Sequence, residues 1–274
     1  MPADLHVHSN LSDGTHTPEE LVELAKEAGL TAFALTDHDG VGGIERAQKK
    51  GAEVGLEVVA GIEFTTEIPK AEVHILGYFF DFKSSRLLEV LKNIQEDRVS
   101  RIYRIVEKLK AMGVEIAPQE IFEISGKAAP GRPHVARALI KKGIVPDFRS
   151  AFYKYLDFRA PAYVSHYKLT PGEAVKLIKE IGGIPVFAHP QISACDDLIP
   201  ELLAEGLRGI EVYYPGYGPG TIAHYKQLAK KYGLLLTGGS DYHGLDSGRE
   251  VRLGDITLSD GLFKKIKDEH LRGN

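Results

Sequence analysis

The chain has a single cysteine, Cys195, among its 274 residues. That excludes an intramolecular disulfide and any zinc site built from several thiolates. A metal, if one is held, must be held by nitrogen and oxygen. No apolar run approaches the roughly 18 residues that a membrane-spanning helix requires. The chain opens almost directly into a strand, without a basic stretch leading into an apolar one. No secretory leader is therefore expected, and a cytoplasmic location is the default. Repeats at solenoid periods and low-complexity segments are missing. Phosphate-loop patterns are missing too: Gly238-Gly239 reads as a tight turn, because no Gly-x-Gly-x-x-Gly or Walker sequence accompanies it. What remains is an ordinary globular mix, 43% hydrophobic and 26% charged, able to bury a large core.

Residues 4–13, Asp-Leu-His-Val-His-Ser-Asn-Leu-Ser-Asp, organise the rest. Residues 3–7 read as a strand, so His6 and His8 point to one face. Two neighbouring imidazoles cannot both be charged cheaply, but neutral imidazoles can share a divalent cation. Asp13 follows in a loop and can add a carboxylate oxygen. On its own the pair is also readable as two polar residues at a strand end. The other end of the chain repeats the pattern: Ser240-Asp241-Tyr242-His243 places ligand-type side chains at i and i+2 after an apolar run.

Between these ends, apolar β-type runs alternate with amphipathic helices. A helix over 18–29 has Thr17 as cap, Pro18 at its first position and Gly29 at its end. Further helices are expected at 42–54, 171–182, about 196–205 and about 219–232. Strands are expected at 32–36, 57–60, 73–79, 184–188, 209–212 and 234–237. Such alternation argues for a parallel α/β sheet, since parallel strands need crossover helices. Seven strands with ligand-type residues at their C-terminal ends favour a barrel over an open sheet. His6, His8, Asp13, His38, Glu63, His189, Asp241 and His243 fall at or just after strand ends; His74 lies early in its strand. This convergence argues for one shared metal centre.

Asp-Leu-His-Val-His-Ser, Thr36-Asp37-His38, Gly61-Ile62-Glu63, His74, Ala188-His189-Pro190 and Ser240-Asp241-Tyr242-His243 resemble the successive motifs of the PHP (polymerase and histidinol phosphatase) family. The resemblance spans nearly the whole chain. It implies a distorted seven-stranded (β/α)7 TIM-like barrel with a cluster of up to three metals. It implies His6, His8, Glu63 and Asp241 on one metal and Asp13, His38 and His243 on a second. Glu63, His74 and His189 fall on a third, with Glu63 bridging and Asp37 behind the ligands. Asp13, His38, Asp241 and His243 are the residues expected to carry the chemistry.

Six neutral histidines with three carboxylates bring three negative charges, and three divalent cations would leave the centre positive and attractive to dianions. Mixed nitrogen and oxygen donors favour Mn, Fe or Zn over Mg or Ca, so two to three such metals are expected. Adjacent metals lower the pKa of water and clamp an in-line displacement, which fits hydrolysis of a phosphate ester.

Residues 83–168 interrupt the barrel pattern, leaving 1–82 and 169–274 for the barrel. A long amphipathic helix is expected over 86–111, with Leu87, Leu91, Ile94, Ile102, Ile105 and Leu109 as its apolar stripe. A shorter helix is expected at about 133–142. This reads as an inserted helical cap. It holds 17 Lys and Arg, Arg98, Arg101 and Lys154 among them, against 9 Asp and Glu; the remainder holds 17 against 29. Solvated helix faces account for most of the basic residues, yet so sharp a division suggests a cap that meets an anionic substrate. In Gly131-Arg132-Pro133-His134, Pro133 marks a helix start where free N–H groups bind anions, and Arg132 and His134 add donors. With Lys154-Tyr155-Leu156 and Pro161-Ala162-Tyr163-Val164, this stretch is similar to the TrpH-like branch of the PHP family. That branch removes the 3′-phosphate from nucleoside 3′,5′-bisphosphates, and some members degrade short RNA from the 5′ end.

The expected activity is thus phosphoesterase action on small nucleotides or short single-stranded RNA, with no membrane or protein partner implied. A histidinol-phosphatase-like enzyme, an amidohydrolase-like C–N hydrolase and a non-catalytic nucleic-acid-binding module are the competing readings. His16, His166, His224 and His270 read as surface or loop residues, and Glu211 and Tyr213 as strand-end residues without an assigned role.

Overall fold

A computed structural model describes residues 2–126, 129–158, 160–165, 168–244 and 250–273. His166 lies outside the described residues. The chain runs β1 (Ala3–Val7), α1 (Pro18–Glu27), β2 (Ala32–Leu35), α2 (Ile44–Val54), β3 (Glu57–Ile68) and β4 (Ala71–Tyr78). Helices α3 (Ser85–Ala111), α4 (Pro118–Ser125), α5 (Arg132–Lys141) and α6 (Phe148–Ala151) follow, the last continued by a π-helical turn, Phe152–Leu156. The barrel pattern resumes with α7 (Pro171–Glu180), β5 (Ile184–Phe187), α8 (Pro190–Ser193) and α9 (Ile199–Glu205). It ends with β6 (Gly209–Tyr213), α10 (Pro219–Tyr232), β7 (Leu235–Gly238) and α11 (Asp260–Gly273). No helix among the described residues is long and apolar enough to cross a membrane.

The seven strands form one sheet in sequence order. Val7 bridges Tyr242 just past β7, so the sheet curls back on its first strand and forms a distorted barrel. Gly239 permits this closure: a Cβ there would collide with the His6 backbone nitrogen and the Asp4 carboxylate. The α1 cap is the expected one. Thr17 Oγ1 accepts from Glu20 N–H at 3.2 Å, and Glu20 Oε2 accepts from Thr17 N–H at 2.7 Å.

The sheet is not wholly parallel. β4 runs antiparallel to both β3 and β5. Only Pro69 and Lys70 separate β3 from β4, and a two-residue turn leaves no room for a crossover helix. β3 is also longer than the expected 57–60, continuing through Glu63 to Ile68 as one arm of this hairpin. The reversal explains why His74 comes early in its strand. The first residues of β4 lie beside the C-terminal ends of its neighbours, and Ala188 N–H donates to His74 O at 3.1 Å.

Inside the barrel, Leu5, Ala34, Leu76, Tyr78 and Val186 pack with Phe263 and Ile266 of α11, which plugs its base. Each such large side chain contributes about 1.5–3 kcal/mol by leaving water. A second apolar cluster belongs to α3–α6 and is built on Ile102, Ile105, Leu109, Ile121, Val135 and Leu139. Helix α3 serves both: Leu87, Val90, Leu91 and Ile94 in its first half pack into the barrel wall.

Candidate metal centre

All nine expected ligand-type side chains meet at the mouth of the barrel around Glu63. Glu63 Oε2 lies 3.1 Å from His6 Nε2, 3.2 Å from His8 Nε2 and 3.3 Å from His38 Nδ1. Glu63 Oε1 lies 2.8 Å from His74 Nδ1 and 2.9 Å from His189 Nε2. The carboxylate is 1% exposed and divides five imidazoles between its two oxygens. Asp241 Oδ1 stands 3.1 Å from His8 Nε2 and 3.4 Å from His6 Nε2. Asp13 Oδ1 stands 3.2 Å from His243 Nε2, and Asp13 Oδ2 3.9 Å from His38 Nε2.

Three sets of ligand atoms lie within 4.8 Å of one another: His6, His8, Glu63 and Asp241; His8, Asp13, His38 and His243; and His38, Glu63 and His74. His8 and His38 therefore each border two sets, and His189 reaches the third through Glu63 Oε1. His189 and Asp241 adopt positive φ, +24° and +50°, conformations that non-glycine residues keep only where the surroundings over-determine them.

These donors fit a cation. Both ring nitrogens of His8, Asp13 Oδ1 and His189 Nδ1 are buried with no hydrogen-bond partner. Such orphaned groups are costly unless an ion or other partner satisfies them. The electrostatics agree. Burial lowers the His8 pKa, but Asp241 and Glu63 more than offset it and raise it to about 9. Burial is likewise outweighed at His74, where Glu63 and Glu72 raise the pKa to about 9. His38 goes the other way, to about 3, because burial dominates. Burial favours the neutral form of Glu63, yet His38, His6 and His74 hold its pKa well below the usual range. The carboxylates call for positive charge, which divalent cations supply while leaving the imidazoles neutral.

Other side chains brace the cluster. Glu211, fully buried, places Oε1 3.0 Å from His6 Nδ1 and accepts from His189 N–H through Oε2 at 2.7 Å. Tyr214 O–H donates to Asp241 Oδ2 at 2.7 Å. Asp37 accepts from Ser9 N–H and Ser12 O–H at 2.7 and 2.6 Å, fixing the loop that carries Asp13. Glu211 was visible in the sequence as a strand-end carboxylate; nothing there marked Tyr214.

A cleft of about 150 Å³ opens beside the cluster, lined by Asp13, His38, His74, Arg98, Arg101, Arg132 and His134 among others. Arg132 Nη2 donates to Glu72 Oε1 at 2.7 Å, and its guanidinium lies over Phe152 and Tyr163. His134 Nδ1 accepts from Gly131 N–H at 3.0 Å, and burial takes its pKa down to about 4, so it is neutral near pH 7. The three basic residues of the helical segment named earlier separate: Lys154 is exposed, Arg98 is bound to Asp39, and Arg101 lines the cleft. Arg101 Nε donates to Val164 O at 2.6 Å, while its Nη2 is buried without a partner. Burial beside Arg132 and Arg98 lowers its pKa to about 9. A readable signal existed, since Arg98 and Arg101 occupy positions in the apolar stripe of α3.

The chain matches the model of the PHP domain over residues 4–142. It is 33% identical over 255 residues, 90% of either chain, to a 3′,5′-nucleoside bisphosphate phosphatase of Chromobacterium violaceum. It is 32% identical over 259 residues to a phosphoribosyl 1,2-cyclic phosphate 1,2-diphosphodiesterase of Eggerthella lenta, covering 89% of this chain and 95% of that one. A 5′-3′ exoribonuclease of Haemophilus influenzae is 32% identical over 267 residues, 93% of this chain and 96% of that one.

Proposed function

The chain belongs to the PHP domain family and is a metal-dependent phosphoric ester hydrolase, and from that premise we propose that it removes the 3′-phosphate from nucleoside 3′,5′-bisphosphates. The observation that carries this reading is the pairing of two anion-binding zones in one cleft. One is the nine-residue cluster, which reaches the cleft through Asp13, His38 and His74; the other is Arg101 and Arg132, with His134, on the same lining. A substrate with two phosphates uses both. The buried, unpartnered Arg101 Nη2 finds its acceptor in the phosphate that is not cleaved.

His6, His8, Glu63 and Asp241 would hold one cation, Asp13, His38 and His243 with His8 a second, and Glu63, His74 and His189 a third. Mixed nitrogen and oxygen donors suit Mn, Fe or Zn. When bound, the cations supply Lewis-acid polarisation of the phosphoryl oxygens and an activated water. Asp13 and His38 line the cleft, with His243 Nε2 3.2 Å behind Asp13 Oδ1, so these side chains would orient the scissile phosphate over the second cation. Burial alone would protonate Asp13, but His243 and His38 keep its pKa well below the usual range. Segment 83–168 is the substrate-binding cap: Arg132 and Arg101 hold the 5′-phosphate, and His134, its ring held between Gly131 N–H and the Ser12 backbone, lines the cleft beside them. A 5′-phosphorylated RNA end presents the same phosphate.

The test is phosphate release by Mn-supplemented protein. Adenosine 3′,5′-bisphosphate should yield inorganic phosphate and the 5′-monophosphate. Arg101→Ala should raise KM for the bisphosphate far more than for p-nitrophenyl phosphate. The reading fails if the bisphosphate is inert while 5′-phosphorylated RNA, a sugar 1,2-cyclic phosphate or histidinol phosphate is turned over.

A further inference from the structure

Glu72 lies two residues before His74 on β4, so both side chains share a face. Its Oε1 stands 2.7 Å from Arg132 Nη2 and 3.3 Å from His74 Nε2. Its Oε2 is 3.0 Å from Lys168 Nζ, an amine itself only 3% exposed. The other ring nitrogen of His74 faces Glu63. One carboxylate oxygen thus serves both an imidazole of the metal cluster and the guanidinium of the anion cleft.

We propose that Glu72 is a positioning residue that couples the two halves of the site, orienting His74 toward a cation and releasing Arg132 to an incoming phosphate. A carboxylate oxygen shared by two donors is a weaker acceptor for each. A cation on His74 Nδ1 makes the Nε2 N–H a stronger donor, which draws Oε1 toward His74 and loosens its hold on Arg132. A phosphate on Arg132 has the converse effect: Oε1 is left to His74, whose imidazole becomes a better ligand. Lys168 holds Oε2 in either case, so the exchange is confined to Oε1. By linkage, each ligand then strengthens the other by the same factor. The inference rests on the proposed function only in taking the third cation to His74 and a substrate phosphate to Arg132.

The test is titration of the full chain with Mn(II), with and without adenosine 5′-phosphate, reading the weakest Mn site. In the natural protein the nucleotide should tighten that site. Glu72→Gln should weaken it by about tenfold, the usual effect of losing a residue behind a ligand, and should abolish the tightening. Arg132→Gln should have the opposite effect on the metal, tightening the weakest site because Glu72 then serves His74 alone. Loss of a merely structural contact would weaken Mn binding in both variants. The proposal is overturned if both variants shift Mn affinity in the same direction, or if the nucleotide tightens the site equally in Glu72→Gln. If the nucleotide does not bind the natural protein, the nucleotide reading fails, and the opposite Mn shifts still decide the role of Glu72. If Glu72→Gln does not fold, Arg132→Gln decides alone: tightening supports the coupling and weakening overturns it.

Discussion

Arg98 of α3 donates through Nη2 to Asp39 Oδ2 where the helical segment meets the barrel, and both side chains are nearly out of water, 8% and 1% exposed. Asp39 sits just past β2 at φ +48°, and its other oxygen accepts from Thr65 N–H at 3.1 Å. The pair joins the mouth of the barrel to the helix above it.

Removing one partner leaves the other charge buried and unpaired. Arg98→Met should therefore destabilise the protein by about 3–5 kcal/mol, read as a lower urea midpoint. Arg98→Met combined with Asp39→Asn should recover much of that loss. An additive double variant would show that the pair interacts too weakly to act as the joint.

Glu211 holds His6 from behind. Glu211→Gln should cost about 10–100-fold in metal affinity, with the metal-stripped fold intact by circular dichroism. Mn affinity equal to that of the natural protein would mean that His6 is oriented by packing alone.

His189 and His134 should differ in metal analysis. His189 Nε2 reaches Glu63, whereas His134 is turned toward Gly131. His189→Ala should lower Mn stoichiometry, and His134→Ala should leave it unchanged. Because His134 is neutral and its ring is held by Gly131 and Ser12, its loss should act through the cleft lining and weaken substrate binding by only about 0.5–1.5 kcal/mol, the scale of an uncharged hydrogen bond. Metal loss in the His134 variant would reverse the assignment.

His134 should also contribute to acid sensitivity. Its folded pKa is about 4 against 6.5 for a free imidazole. Between those values the unfolded chain binds more protons, so stability rises with pH. The contribution is complete above about pH 6.5 and is lost as pH falls toward 4. His134→Asn, which keeps an acceptor for Gly131 N–H, should remove about 2 kcal/mol of the stability difference between pH 7 and pH 5. Paired urea midpoints at the two pH values measure it, and parallel curves for the two proteins would sink the assignment.

Residue type and strand-end position made the convergence of these nine ligand-type side chains legible, because a site of this kind needs side chains of one chemistry wherever the chain supplies them. The direction of β4 was not legible. Alternation of period two marks a strand without saying which way it runs, and the Pro69-Lys70 turn is informative only once β3 is known to reach Ile68. Glu72 was obscured for another reason. It looks like an ordinary surface charge until Arg132 and Lys168, far away in sequence, close over it.

The reversal of β4 also decides how separable the helical segment is. With β4 running downward, the chain leaves the barrel at its base and must travel back to the mouth. Helix α3, 27 residues and about 40 Å long, is the rod that makes the journey, and its lower half is barrel wall. Excising 83–168 as a cassette would strip Leu87, Val90, Leu91 and Ile94 from the barrel and expose the face of α7 behind them. A graft between relatives that spares the host should therefore exchange only what lies beyond the midpoint of that rod, after Ile94, with Arg98 and Asp39 kept as a matched set.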